Sequence, residues 1–293
     1  MMQILIIGKN GQLGSSLCDE AEINHIDYIA TNHQALDITD QKQINEFFLN
    51  QHDFNFIINA AAYTNVDAAE RNASDAHLTN CSAVSYLAET AKEYDIPLIH
   101  ISTDYVFDGM KKTGYGETDF VNPINVYGKT KCDGENILRA TWGKHIILRT
   151  SWVFSEYGKN FVKTIAQRYA EKESFSVVCN QFGSPTSARS LAQVILHICN
   201  TLQTESNNAH YFGVYHYTDF PATNWHQLAS YIAKLKENKT GISRAVYPVE
   251  SKDYPTAAKR PKNSVLNIDK IKNKFGIQSK SWVAEVNRVL DII

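Results

Sequence analysis

The chain has 293 residues, 43% of them hydrophobic and 20% charged, with a formal net charge of −2. That length can bury a large core in one enlarged domain or two unequal ones, and the balanced charge gives no global basic field to favour nucleic acid or an anionic membrane. The first apolar run is too short for a secretory leader or a membrane span, and the five scattered cysteines form no CxxC pair, so a cytoplasmic chain with reduced thiols, no disulfide framework and no zinc site is expected.

In chain order, apolar runs at 3–8, 26–30, 54–60, 97–102 and 145–150 predict strands, and amphipathic stretches at 11–20, 40–51, 73–94 and 123–140 predict helices between them. Continuous Ile/Leu/Val runs separated by helices mean strands buried on both faces. The fold class is therefore α/β, a Rossmann-like doubly wound parallel sheet. After residue 150 the pattern loosens. A strand is predicted at 174–179 and a helix at 187–202, where Leu191, Val194, Ile195 and Ile198 have helical spacing. Residues 203–209 read as a polar loop, 225–236 as a helix and 251–263 as an irregular Pro- and Lys-rich segment. Tyr211, Tyr215 and Tyr217 alternate along an apparent strand, a packing pattern. Residues 1–170 are expected to form the sheet domain. Residues 171–293 are expected to be mainly a smaller C-terminal α/β lobe over the carboxyl edge of the sheet, where open α/β sheets hold ligands, with some segments returning to the first domain.

Gly8-Lys9-Asn10-Gly11-Gln12-Leu13-Gly14 follows the first strand and opens the first helix. Glycines at this GxxGxxG spacing permit a tight strand-to-helix turn and bring a helix N-terminus to a pyrophosphate. Three glycines alone describe any Gly-rich turn; their place between first strand and first helix makes residues 1–170 a candidate NAD(P)-binding domain. The acid that commonly follows by about 20 residues, to bind a ribose hydroxyl, is missing until Asp37. That leaves NADPH or NADH open, with no Arg nearby to secure a 2′-phosphate.

Tyr127-Gly128-Lys129-Thr130-Lys131 is the sharpest signal. Residues four apart share a helix face, so Lys131 can project beside Tyr127. A neighbouring ammonium is expected to lower the tyrosine from its ordinary pKa of about 10 towards the working range. Ser102-Thr103-Asp104 ends the fourth strand, where the Thr103 hydroxyl can polarise a carbonyl. Thr103 and Tyr127 would then bind a carbonyl oxygen, with Tyr127 giving it a proton. YxxxK also arises by chance in a chain with 15 tyrosines; the phosphate loop and the Ser-Thr strand end give it chemical meaning.

With these motifs in place the chain resembles the extended short-chain dehydrogenase/reductases and, within them, the dehydrorhamnose reductase family. The matching stretches run nearly end to end: GKNGQLG, NAAAYTNVDAAE (59–70), STDYVFDG (102–109), NVYGKTK (125–131), LRTSWVF (148–154), NQFGSPT (180–186) and RPKNSVL (260–266). The resemblance implies reduction of the C4 ketone of dTDP-4-dehydro-L-rhamnose, a small-molecule nucleotide sugar, with NADPH or NADH. It implies Gly8, Gly11, Gln12, Leu13 and Gly14 at the cofactor pyrophosphate, and Asp37 and Ile38 bordering the adenine. Ala61, Ala62 and Tyr63 would line the cofactor cleft. Thr103, Asp104, Tyr127 and Lys131 would surround the reacting carbon, with Trp152 against the sugar. Arg260 could approach the substrate diphosphate, a solvated loop arginine being the bland alternative. Some members of the family dimerise around a magnesium held by acids, but Ser16 and Arg189 stand at two of the corresponding positions. No metal, and a monomer or weak homodimer, are therefore expected.

His33, His52, His77, His197 and His210 have no metal spacing and read as solvated or capping residues. Cys132 reads as a small core thiol. Two alternatives remain at this level. One is another nucleotide-sugar reductase, epimerase or dehydratase of the same superfamily, although Tyr105 stands where a dehydratase would want a second acid. The other is a non-catalytic regulatory subunit like that of methionine adenosyltransferase, which the intact Thr103/Tyr127/Lys131 set disfavours.

Overall fold

The computed structural model describes residues 2–293. Its first half is built of strand–helix units: β1 (Gln3–Ile7), α1 (Gln12–Ile23), β2 (Asp27–Thr31), α2 (Gln41–Asn50), β3 (Phe56–Asn59), the short α3 (Val66–Ala69) and α4 (Ala73–His77), α5 (Ala83–Glu93), β4 (Leu98–Thr103), α6 (Val126–Thr141) and β5 (His145–Thr150). There follow β6 (Val153–Phe154), α7 (Phe161–Glu171), β7 (Ser174–Val178), β8 (Phe182–Gly183), β9 (Thr186–Ser187) and α8 (Ala188–Thr204). The chain ends with β10 (Gly213–His216), β11 (Thr223–Asn224), α9 (Trp225–Thr240), β12 (Ala245–Val249), α10 (Asp269–Phe275) and α11 (Trp282–Ile292).

The main sheet has six strands in the order β10-β5-β4-β3-β1-β2, every neighbouring pair parallel. Alternation explains its continuous apolar runs. Ile4 and Ile6 face one core with α1, α8 and α10, whereas Leu5 and Ile7 face the other with α2, α5 and α6. Successive strand residues point to opposite faces, so a strand covered on both sides is apolar throughout. The helices begin where a side chain can take up free N–H groups. Asp40, Asn65, Asn125, Asn160, Ser187 and Asn224 each accept from the first turn of the helix that follows.

The second core is smaller. It packs α7, α9 and α11 against the parallel pair β7–β12, around Phe154, Ile165, Phe175, Leu228, Ile232 and Val286. Phe161–Glu171 thus joins this lobe although it precedes residue 171, while α8, β10 and α10 return to the sheet. The pairs β6–β9 and β8–β11 lie outside the main sheet. Because β1 is flanked by β2 on one side and β3 on the other, the order in which the strands are added across the sheet reverses at the β1/β3 boundary. Ligands of open α/β sheets bind at the carboxyl ends beside such a reversal.

Candidate active site

A cleft of about 790 Å³ lies over the carboxyl ends of the strands and beneath the smaller lobe. Gly8, Gly11, Gln12 and Leu13 line one end. Gly8 has φ +93°, a conformation that favours glycine, and a Cβ on it would sit 2.9 Å from the backbone nitrogen of Ala61. Gly14 does not line the cleft; a Cβ there would reach within 2.1 Å of the Gly8 carbonyl oxygen, so this glycine lets α1 close on the loop. No side chain caps α1, so its N-terminal N–H groups are free to meet an anion. Gln12 also ties the loop to the segment after β5. Its Oε1 accepts from Asn160 at 2.9 Å and from Ser155 at 3.2 Å.

The wall behind β3 is made of Ala60, Ala61 and Ala62, and the end of β2 contributes Asn32 and His33. Of the residues expected around the adenine and cleft wall, Asp37, Ile38 and Tyr63 do not line the cleft. Asp37 accepts from the backbone and hydroxyl of Thr39 at 2.9 and 2.7 Å. Ile38 is in the core with Ile44 and Phe48. Tyr63 holds Asn80 through its backbone, and its hydroxyl accepts from Asn72 at 3.2 Å. His33, read from sequence as solvated or capping, faces the cleft and pairs with Asp37 at 3.4 Å.

Thr103, Asp104, Tyr127 and Lys131 come together in the middle of the cleft. Thr103 ends β4; its Oγ1 donates to Asp104 Oδ1 at 3.1 Å and accepts from the Tyr105 N–H at 3.1 Å. Burial pushes the Asp104 carboxyl up to about 7, against the lowering influence of the Ser264 and Thr103 hydroxyls. Its Oδ2 is buried with no hydrogen-bond partner among the described residues. Tyr127 is half-buried at the cleft floor with Tyr105 edge-on at 6.0 Å.

The expectation that Lys131 lowers the Tyr127 pKa is not met. Burial pushes the phenol up to about 12; the Thr103 hydroxyl pulls it down and the Asp104 carboxylate pushes it further up. Lys131 contributes nothing here, because its Nζ turns away to the Ile101 carbonyl at 2.6 Å and to His100 Nε2 at 3.1 Å. Burial lowers the lysine itself to about 8, against the opposing effect of Glu135. Tyr127 is thus a protonated phenol at neutral pH, the form an acid needs in order to donate.

Trp152, just past β5, stacks on Trp225 at 3.5 Å between ring centroids and 12° between planes. Its backbone has φ +49°, unusual for a bulky residue and typical of a functional site. Gly183 packs against the indole, where a Cβ would come within 2.6 Å. Arg260 does not line the cleft; it forms two bonds to Asp67 at 2.7 and 3.2 Å. Besides His33, sequence reasoning missed Asn32, Ser151, Lys159 and Trp225, all in the lining. Only Trp225, an aromatic at a helix start, offered any sequence signal.

Ser16 is buried and Arg189 pairs with Glu20 at 2.8 Å. Among the described residues no three His, Cys, Asp or Glu side chains lie close enough together to hold a metal ion, and no helix is long and apolar enough to cross a membrane.

The family described as the RmlD substrate binding domain matches residues 2–293. A dTDP-4-dehydrorhamnose reductase of Aggregatibacter actinomycetemcomitans is 40% identical, over 96% of each chain. The crystal structure of a dTDP-4-dehydrorhamnose reductase from Clostridium acetobutylicum superposes with a TM-score of 0.91 at 36% identity, covering 99% of both chains. A second, from Bacillus anthracis in complex with NADP, gives 0.91 at 32% identity over the whole of both chains.

Proposed function

We propose that this chain, which belongs to the RmlD substrate binding domain family, is an NAD(P)H-dependent oxidoreductase that reduces the C4 ketone of dTDP-4-dehydro-L-rhamnose to dTDP-L-rhamnose, the final step of dTDP-rhamnose synthesis. The observation that carries the reading is the meeting of Thr103, Asp104, Tyr127 and Lys131 in one cleft, beside a glycine loop and a wall of alanines. The glycines and the uncapped α1 fit a dinucleotide. Gly8, Gly11, Gln12 and Leu13 hold its pyrophosphate, and Ala61 and Ala62 give its flat ring room. When bound, the dinucleotide supplies the hydride. The side chains do the rest.

The Tyr127 phenol binds the C4 oxygen and gives it a proton as negative charge develops there, and the Thr103 hydroxyl joins it by turning its single proton from Asp104 to that oxygen. Tyr127 carries its proton at neutral pH, the form in which it can donate. Asp104 Oδ2, buried and unpartnered, accepts from a sugar hydroxyl. Trp152, steadied by Trp225 and Gly183, offers an apolar face to the deoxysugar methyl. Arg260, held by Asp67 outside the cleft lining, reaches a substrate diphosphate only by exchanging that carboxylate for it. The reading is of a cytoplasmic enzyme, monomeric or weakly dimeric and without a metal.

The test is oxidation of NADPH, then NADH, with enzymatically generated dTDP-4-dehydro-L-rhamnose. Turnover that needs the sugar and is lost in Tyr127→Phe, with cofactor affinity nearly intact, is the expected outcome. Sugar-independent oxidation, or a Tyr127→Phe variant that loses cofactor affinity while keeping its turnover at saturation, contradicts the assignment.

A further inference from the structure

Lys131 touches a buried histidine that this chemistry does not use. His100, on β4, is wholly excluded from solvent, yet both its ring nitrogens have polar neighbours. Nε2 lies 3.1 Å from Lys131 Nζ, and Nδ1 lies 3.2 Å from Asn59 Nδ2. Asn59, at the end of β3, is buried too, and its Oδ1 accepts the Ala61 N–H at 3.1 Å. That bond decides which end of the amide faces His100.

An amide nitrogen only donates, so Nδ1 must accept. The single proton of a neutral imidazole then sits on Nε2 and points at Lys131. An ammonium has three donors and no acceptor. The set is complete only when Lys131 is a neutral amine, accepting from Nε2–H and donating to the Ile101 carbonyl at 2.6 Å. A charged Lys131 needs the His100 proton on Nδ1, opposite the amide hydrogens of Asn59. Relief requires the Asn59 amide to turn, which breaks its bond to Ala61 in the wall of the cleft.

We propose that His100, held by Asn59, is a positioning residue that couples its own tautomer to the charge of Lys131: Nε2–H opposite a neutral amine, Nδ1–H opposite an ammonium. The opposed arrangement penalises the ammonium, so the charge that Lys131 carries in the cleft depends on the His100 tautomer. The other charged or titratable groups facing Lys131 are Glu135, one turn on along α6, and Tyr127 and Asp104 in the cleft. Glu135 favours the ammonium, but it is bound by Arg149 of β5 at 2.9 and 2.6 Å and by the Ser102 hydroxyl. Burial and the lysine charge hold His100 well below its ordinary range, so it exchanges tautomers without becoming an imidazolium.

That Lys131 serves a reaction rests on the reductase reading, but the coupling can be measured without sugar or cofactor. Imidazole 15N signals of the wild-type chain are followed from about pH 6 to about pH 10, spanning the titration range of a lowered lysine. The His100 signals are assigned by their loss in His100→Gln. The expected result is a switch from Nδ1–H to Nε2–H whose midpoint coincides with the titration of the Lys131 side-chain carbons. In Asn59→Ala, where nothing opposes Nδ1–H, both midpoints should rise together by about one unit, or about tenfold in proton affinity. A single tautomer throughout, an imidazolium, or midpoints that differ between His100 and Lys131 would overturn the coupling. If Asn59→Ala does not fold, the wild-type titration alone decides. Failure of the turnover assay beside a successful titration would count against the reductase reading and not against the coupling.

Discussion

One added methyl group tests whether backbone contact positions the reacting set. Gly128 follows Tyr127 in α6, and a Cβ there would lie 2.1 Å from the Tyr105 carbonyl oxygen and 3.2 Å from Asn125 Oδ1. Ordinary contact begins near 3.4 Å, so the helix and the loop after β4 must part by about 1 Å, a misplacement that costs about a hundredfold in rate. The loop begins at Asp104, directly after Thr103 at the end of β4, and the helix carries Tyr127 and Lys131, so the displacement falls between the two halves of the set. Overpacking adds a stability loss of about 1–3 kcal/mol. Gly128→Ala should therefore lower kcat about a hundredfold, leave the KM for NADPH little changed, because the glycine loop is untouched, and lower Tm. Gly143→Ala is the control, since its Cβ would meet nothing within 4 Å. Steady-state NADPH oxidation and thermal unfolding of both variants provide the assay. Wild-type kcat and Tm in Gly128→Ala would refute the reasoning.

Two further predictions concern buried charge. Asp104, pushed up to about 7 by burial, binds its proton more tightly folded than unfolded. The stability this contributes is fully present below its unfolded pKa and is lost as pH rises through about 7. Asp104→Asn should consequently gain in Tm relative to the wild type between pH 5 and pH 8, by comparison of melting curves at the two values; a constant difference would exclude the raised pKa. Glu135→Gln should cost about 3–5 kcal/mol in urea unfolding, because Arg149, 2% exposed, loses its counter-charge. A loss under about 1 kcal/mol would mean that water or His216 takes over the role.

The parallel sheet was readable in the sequence because a strand covered on both faces loses the polar alternation of a half-exposed one, and β1 and β3 to β5 each carry an unbroken apolar run of two to four residues. What the pattern could not carry was decided by contacts between distant segments. The stretch 73–94 reads as one helix, but residues 78–82 form a π turn between α4 and α5. There Asn80 bonds the Tyr63 backbone and Thr130, and Gly134 of α6 admits its carbonyl. Helix periodicity alone has no term for such an inset. The helix expected from residue 123 begins at Val126, where Asn125 caps it. At the site, the glycines, alanines and YxxxK set were legible because their spacing is local. Asp37 and Tyr63 were expected in the lining, yet Thr39 and Asn80 engage them elsewhere. His100 gave no signal, since one histidine in an apolar strand looks like any other until its partners are placed.

The stacked pair Trp152–Trp225 joins the end of the sheet to the first residue of α9, so its geometry depends on how the two cores sit together. Indole rings 3.5 Å apart share their electronic excitation. Of the four tryptophans in the chain, Trp142 and Trp282 have no indole partner. The pair is an internal optical reporter of this junction: an exciton couplet in circular dichroism that is lost in Trp225→Phe is the expected signature, and a change in it on adding a ligand would report one core moving against the other without any attached label.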